Sequence, residues 1–340
     1  MIDVLVAGAG PVGLAAALYL HDAGLQVGVT DPRPHPIDKA CGEGLLPAAV
    51  RALAELGIEP AGHQLRGIRY LDGSRSAEAS FRTGSGRGVR RTELQAVLHS
   101  AVLARGITVN ERAVTDLGQD QHSVTAAGIT ARYLVAADGL HSGIRDGLRL
   151  TDPAPRRLPR RWGQRRHFLL PPWTDLVEVH WAADAEAYVT PIADDQVGVA
   201  ILSSRQEPFD LQLQAFPALA ERFAATIGGP VRGAGPLRQR VRRRVAGRVL
   251  LVGDAAGYVD ALTGEGISVG LHCARRLARC LSEDRPQDYE RAWRQASRRY
   301  RVLTESLLFA AHRPAVRRRI VPAASAAPWL FRTIVGQLSP

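Results

Sequence analysis

The segment from Ile2 to Asp31 constrains the fold more than any other part of the chain. Residues 2–7, IDVLVA, form a short apolar run suited to a strand buried on both faces. Gly8, Gly10 and Gly13 follow in the pattern GAGPVG, and VGLAAALYLHDAG then reads as a helix of small residues closed by Gly24. LQVGVTD supplies a second strand, ending at Asp31. Strand, glycine-rich turn, helix and terminal acid in this order predict a βαβ unit that binds a dinucleotide. Gly8 permits the tight turn, Gly10 lets backbone approach a pyrophosphate, and Gly13 lets helix and strand pack closely. Pro11 and Val12 complete the cofactor-binding turn. The helix N-terminus offers free N–H groups and partial positive charge to phosphate. Asp31 is placed to accept from a ribose hydroxyl. The pattern alone does not separate FAD from NAD.

Two later stretches bear on that choice. In ARYLVAADGLHSGIRD (131–146) a strand, Tyr133 to Ala137, runs into Asp138-Gly139. In GRVLLVGDAAGYVDALTGEGISVG (247–270) a strand, Arg248 to Val252, ends in Gly253-Asp254, and a glycine-rich turn opens a long helix. Together with GAGPVG, these stretches resemble the FAD-dependent single-component monooxygenases of the p-hydroxybenzoate hydroxylase type and the closely related geranylgeranyl reductases. VRRTELQAVL (89–98) is similar to the R-x-x-L segment of that group, with Arg91 at the position that contacts FAD.

The resemblance spans most of the chain and implies FAD as cofactor. It implies an α/β fold: a Rossmann-type FAD-binding domain, an interleaved antiparallel-sheet substrate domain and C-terminal helices. The expected boundaries are 1–65, 84–150 and 240–283 for the first, 66–83 and 151–239 for the second, and 284–340 for the helical segment. Cofactor-binding roles are implied for Asp138, Gly253, Asp254, Gly264, Glu265 and Gly266. Asp254 can accept from the ribityl chain. The helix that begins at Gly264 to Gly266 aims its dipole at the flavin pyrimidine, where reduced flavin carries negative charge. Many monooxygenases of the group have a proline where Ala261-Leu262 stand, so TGEG looks more like the reductase branch.

The stretch KACGEG (39–44) holds the sole lysine of a chain with 44 Lys+Arg. The reductase branch carries a C-G-x-G element here, which by resemblance approaches the flavin and the substrate cavity. Gly42 and Gly44 would let backbone lie close to a planar ring. The alternative is a plain glycine turn with Cys41 buried. Lys39 reads as an ion-pair or FAD-phosphate contact, a compact point donor rather than a fork.

Between the motifs the pattern turns to strands. GIRYLDG and EASFR form one pair, and residues 177–203 form a meander turning at D-D-Q. YVTPIADDQVGVAIL resembles the Y-x-x-P…V-G element of the reductase branch. No W-x-W-x-I-P segment occurs, which argues against a halogenase. Cys41, His167, His180 and Tyr188 are the catalytic candidates, with Trp181 also able to face a cavity, although a satisfied structural role is the stronger reading for either histidine. From about 283 the chain is helical, with Trp293, Ala296, Tyr300, Leu303 and Leu307 on one face. Leu330, Phe331, Ile334, Val335 and Leu338 form a second stripe, expected to pack on the body or to give weak membrane-surface contact.

The formal net charge of +11 is carried almost wholly by arginine. The clusters at Arg156, Arg157, Arg160, Arg161, Arg165 and Arg166, at Arg238 to Arg244, and at Arg317 to Arg319 read as solvated faces. They are dispersed, and the last two lack interleaved aromatics, so no nucleic-acid partner is expected. Cys273 and Cys280 read as buried apolar residues, the three cysteines fit no metal site, and a cytoplasmic protein is expected. The resulting expectation is an FAD-dependent monooxygenase. It would use NAD(P)H and O2 to hydroxylate or epoxidise a small hydrophobic or aromatic substrate in bacterial secondary metabolism. The alternative is a geranylgeranyl reductase-like enzyme acting on C=C bonds. A non-redox role with FAD as scaffold is a third class.

Overall fold

The computed structural model describes residues 1–73, 75–153 and 160–337. Arg156, Arg157 and Leu338 lie outside the described residues. Ile2–Ala7 forms the predicted strand, and Pro11–Asp22 the helix after it, with Pro11 in the first turn where its missing N–H costs nothing. Ile2–Ala7 pairs in parallel with Val27–Thr30 on one side and with Ile129–Ala136 on the other. Val249–Leu251 and Thr108–Asn110 extend the parallel core outwards. Successive residues Val4, Leu5 and Val6 are all buried, as a strand covered on both faces requires. The helices Arg91–Ala104 and Gly266–Ser282 pack beside Pro11–Asp22, and Leu14, Leu18, Leu98, Leu271 and Leu277 join one core.

Among the described residues the second sheet has seven strands. Their order is Arg232–Ala234, Trp162–Leu169, Gln196–Ser203, Ala185–Ala193, Leu176–Trp181, Gly67–Asp72, Arg75–Ser80. It is antiparallel except where Leu176–Trp181 runs parallel to Gly67–Asp72. That junction joins the hairpin 67–80 to the meander 176–203, two segments far apart in sequence, so no tight turn dictates their direction. Among the described residues a small three-stranded sheet of Gly44–Leu45, Gly86–Gly88 and His63–Leu65 packs against Ala185–Ala193 of the second sheet.

The C-terminal part is helical, as read. Tyr289–Ala311 packs on Gly266–Ser282, and Ile320–Ala326 and Pro328–Gln337 cross Arg75–Ser80. Trp293, Tyr300 and Leu308 are buried, as are Cys273 and Cys280. The final stripe divides: Phe331 and Val335 are buried, whereas Leu330 and Ile334 lie at the edge of that face and are exposed. The arginine clusters also depart from expectation. Arg161, Arg165, Arg244 and Arg317 are buried rather than solvated, because each finds a carboxylate. No helix among the described residues is long and apolar enough to cross a membrane.

Candidate active site

A cleft of about 240 Å³ runs between the two large sheets. The turn after the first strand gives it Gly10, Pro11, Val12 and Gly13, and the KACGEG loop gives it Lys39, Cys41, Gly42 and Gly44. Arg91, Asp138, Gly253, Asp254, Gly264 and Gly266 complete this polar half. Segments more than 250 residues apart thus converge on one groove, at the C-terminal ends of parallel strands where such sheets bind ligands. Leu46, Leu65, Ile68, Val177, Val179 and Leu202 form an apolar wall opposite.

The polar half fits a dinucleotide. Arg91 Nε and Asp138 Oδ1 are buried and have no partner. Burial lowers the pKa of Arg91 and raises that of Asp138, so both are held at a cost without a polar guest. The pyrophosphate and hydroxyls of a dinucleotide such as FAD would supply what both atoms lack. Lys39 Nζ stands 3.9 Å from Asp254 Oδ2, an ion pair across the mouth of the groove.

Several expected residues do not line the cleft. Gly8 lies beneath it: a Cβ there would come within 2.3 Å of the Ala137 carbonyl oxygen. Asp31 is buried and already accepts from the Ala9 N–H at 2.8 Å and from the Arg33 guanidinium, and it is Arg33 that reaches the cleft. Glu265 is buried at the start of Gly266–Ser282. His180 faces away, because strand alternation turns Val177 and Val179 to the cleft and Glu178 and His180 to the other side. There His180 Nε2 lies 3.2 Å from Glu178 Oε2, and Trp173 Nε1 donates to the same oxygen. Trp181 packs against Tyr70 and under the Arg317 guanidinium. Tyr188 does reach the cleft, where its hydroxyl donates to the Leu262 carbonyl at 2.7 Å.

His167 is buried one layer behind the cleft and meets Glu43, a residue the sequence reading passed over. Glu43 Oε2 lies 2.6 Å from His167 Nε2, and Oε1 accepts from the Arg91 N–H at 2.8 Å. The Glu43 carbonyl accepts from the Val89 N–H, and its φ of 59° places it in the left-handed region. Arg165 bridges His167 to Asp38 and thence to Arg232. The one carboxylate in CGEG therefore ties the loop to the second sheet and to the helix that carries Arg91. Its position between two glycines was the available signal. A second buried cluster has no local signature: Arg161 pairs with Glu186 and Asp260, and Glu186 also pairs with Arg317. It fixes the GYVDALTGEG turn to the second sheet and the C-terminal helices.

Burial raises Glu265 to about 7, with a Thr263 hydrogen bond and Arg299 opposing. A carboxyl whose folded pKa lies above its unfolded value costs stability as pH rises from the unfolded value through the folded one. Glu265→Gln should therefore gain stability over wild type between about pH 5 and pH 8, reaching on the order of 2–3 kcal/mol, with no gain at pH 4. Urea denaturation of the FAD-free protein at each pH checks this.

Two sheets, a glycine-rich dinucleotide turn and a groove with an apolar wall define an FAD-dependent oxidoreductase. The family model described as an FAD binding domain matches residues 1–210, and the chain belongs to that family. It is 31% identical over 343 residues to a menaquinone reductase of Mycobacterium tuberculosis, covering 86% of this chain and 78% of the relative. It is 29% identical over 354 residues to protoasukamycin 4-monooxygenase of Streptomyces nodosus subsp. asukaensis, covering 86% of this chain and 84% of the relative. Among solved structures, the flavin-dependent brominase Bmp2 matches 99% of this chain and 93% of its own, with a TM-score of 0.82 at 17% identity, which shows the shared fold. The family includes both monooxygenases and reductases.

Proposed function

We propose that this chain saturates an activated C=C bond of an isoprenoid-like substrate, with NAD(P)H as the transient reductant of its FAD. The observation that carries this reading is the cleft's lining. Its substrate half is mainly apolar, with Tyr70, Gln164, Arg165, Tyr188 and Thr190 among the polar exceptions, and among the described residues no histidine lines it to take a proton from a phenol. It does contain Cys41, whose thiol is held protonated because burial raises its pKa, with nearby Arg91 opposing. Saturation needs a proton at one carbon and two electrons with a second hydrogen at the other. Bound FAD supplies the two-electron chemistry. Cys41 Sγ holds the proton, the apolar wall takes the hydrocarbon chain, and the sheet above excludes water. The first domain, by this reading, holds FAD, and residues 66–83 and 151–239 roof the substrate.

The CGEG and TGEG elements and the likeness to a menaquinone reductase support this choice over hydroxylation. Trp329, Leu330 and Ile334, exposed with Arg332 on the last helix, suit weak contact with a membrane surface where such substrates reside. A second reading, oxygenation of a hydrophobic or aromatic substrate with O2 in bacterial secondary metabolism, is supported by the likeness to protoasukamycin 4-monooxygenase. Mass spectrometry of an isoprenoid quinone turned over with NAD(P)H separates them. A product whose isoprenoid chain, once any quinol has been reoxidised to the quinone, is heavier by two hydrogens, formed equally well without air, is expected; one heavier by an oxygen atom would establish the second reading. Cys41→Ala should keep FAD bound yet lower the saturation rate by about 10²–10⁴-fold, the usual worth of a positioned acid, as read from substrate-dependent NAD(P)H consumption.

A further inference from the structure

A second cavity, of about 640 Å³, adjoins the cleft and shares Gly253, Asp254, Tyr258 and Gly266 in its walls. One side is the helix Tyr289–Ala311; the others are the segment 238–244 and the flank of Gly266–Ser282. Arg238, Arg240, Arg244, Arg294 and Arg301 line it. Their charges are incompletely met. Arg238 pairs with Glu305 at 3.0 Å and Arg240 with Asp152 at 3.1 Å, while Arg244 and Arg294 share Glu290 at 3.2 and 3.0 Å. Arg301 has no ion pair among the described residues, and its guanidinium lies 5.2 Å from the Trp293 ring centre. Arg244 stands 3.7 Å from the same ring, and its pKa is lowered by burial first and by Arg301 and Arg294 as well, with Glu290 opposing.

Three buried donors in this wall have no acceptor: Arg238 Nε, Arg301 Nε and Ser297 Oγ. Ser297 is 1% exposed, so solvent does not satisfy it. Most buried polar side-chain atoms in folded proteins are paired, and three unpaired donors gathered on the wall of one cavity lined by five arginines call for a missing partner. That partner must be an anion that accepts from several directions. A tetrahedral phosphoester has the oxygens, and guanidinium forks match them. The space exceeds a lone ion, so the phosphate belongs to a larger molecule.

We propose that this cavity binds the phosphate of an organic phosphate, held by Arg301, Arg238 and Ser297 beside the flavin cleft. Two sources share that chemistry: a phosphate of the pyridine nucleotide that reduces the flavin, or the phosphate head of a lipid substrate. The site stands whether the cleft reduces or oxygenates.

Calorimetric titration of the FAD-loaded protein with inorganic pyrophosphate in low-chloride buffer tests it. Saturable binding at one site is expected, weakened about tenfold by Arg301→Ala, the scale of a lost charge-assisted hydrogen bond. Ser297→Ala should weaken it severalfold. Arg318→Ala, which removes an exposed arginine elsewhere, should leave it unchanged. Flavin absorbance reports that each variant is folded, and Ser297→Ala carries the test if Arg301→Ala does not fold. Displacement of pyrophosphate by NADP+, which cannot reduce the flavin, identifies the nucleotide as the source; displacement by short-chain phosphatidic acid alone identifies the lipid. Absence of saturable binding, equal weakening by Arg318→Ala, or failure of both competitors to displace pyrophosphate overturns the proposal.

Discussion

Gly13→Ala should yield a protein that no longer retains FAD and that melts well below the wild type. A Cβ at Gly13 would stand 1.9 Å from the Gly8 carbonyl oxygen and 3.1 Å from the Ala137 Cβ. No rotamer relieves a clash between a Cβ and backbone. The helix Pro11–Asp22 must move off the strand, and its N-terminus, expected to face the phosphates, moves with it. Overpacking of this kind costs about 3 kcal/mol or more where backbone must shift. Flavin absorbance after gel filtration and a thermal melt read both effects. The same variant at Gly42, where a Cβ meets nothing within 4 Å, should fold normally.

Glu43→Ala should destabilise the protein by about 3–5 kcal/mol, the cost of removing one member of a buried charged network. The loss leaves the Arg91 N–H and His167 Nε2 without their acceptor. The KACGEG loop would then be free to leave the cleft, and Arg91 would lose the position of its helix. Glu43→Gln keeps two polar atoms at the same places and should recover most of the stability. Urea denaturation of the three proteins measures the order: wild type, then Gln, then Ala. His167→Ala should fall near Glu43→Ala, because both break the same contact, and the double variant should cost much less than their sum.

The sequence carried the cofactor half of this molecule clearly. Each of its signals is local: alternation in period, a glycine where backbone must pass close, an acid closing a strand. The meander 177–203 was legible for the same reason, down to the turn between Ala193 and Gln196. The misreadings concern contacts between distant segments. His180 is a different case: alternation along its own strand puts it on the face of Glu178, away from the cleft, and only which face meets the cleft needed distant segments. For His167 the sequence favours a structural role but does not show its partner, Glu43, 124 residues away. Arg161, Arg165, Arg244 and Arg317 looked like solvated charges because nothing local reveals Glu186, Asp38 or Glu290 as their partners. An arginine run in sequence carries no mark of which member will be buried. Asp31 was placed correctly at the end of its strand, but Arg33, two residues on, occupies its carboxylate.

The most direct test of the central claim is the anaerobic reoxidation of the reduced flavin in the FAD-loaded protein. The reduced enzyme is mixed, without oxygen, with a polyprenyl alcohol, which has C=C bonds but no quinone ring to take the electrons, and, separately, with buffer. Rapid return of the oxidised flavin spectrum is expected only with the polyprenyl alcohol, and a slower return in Cys41→Ala. A flavin that stays reduced with the isoprenoid, yet is reoxidised by O2 faster when an aromatic substrate is present, would contradict it.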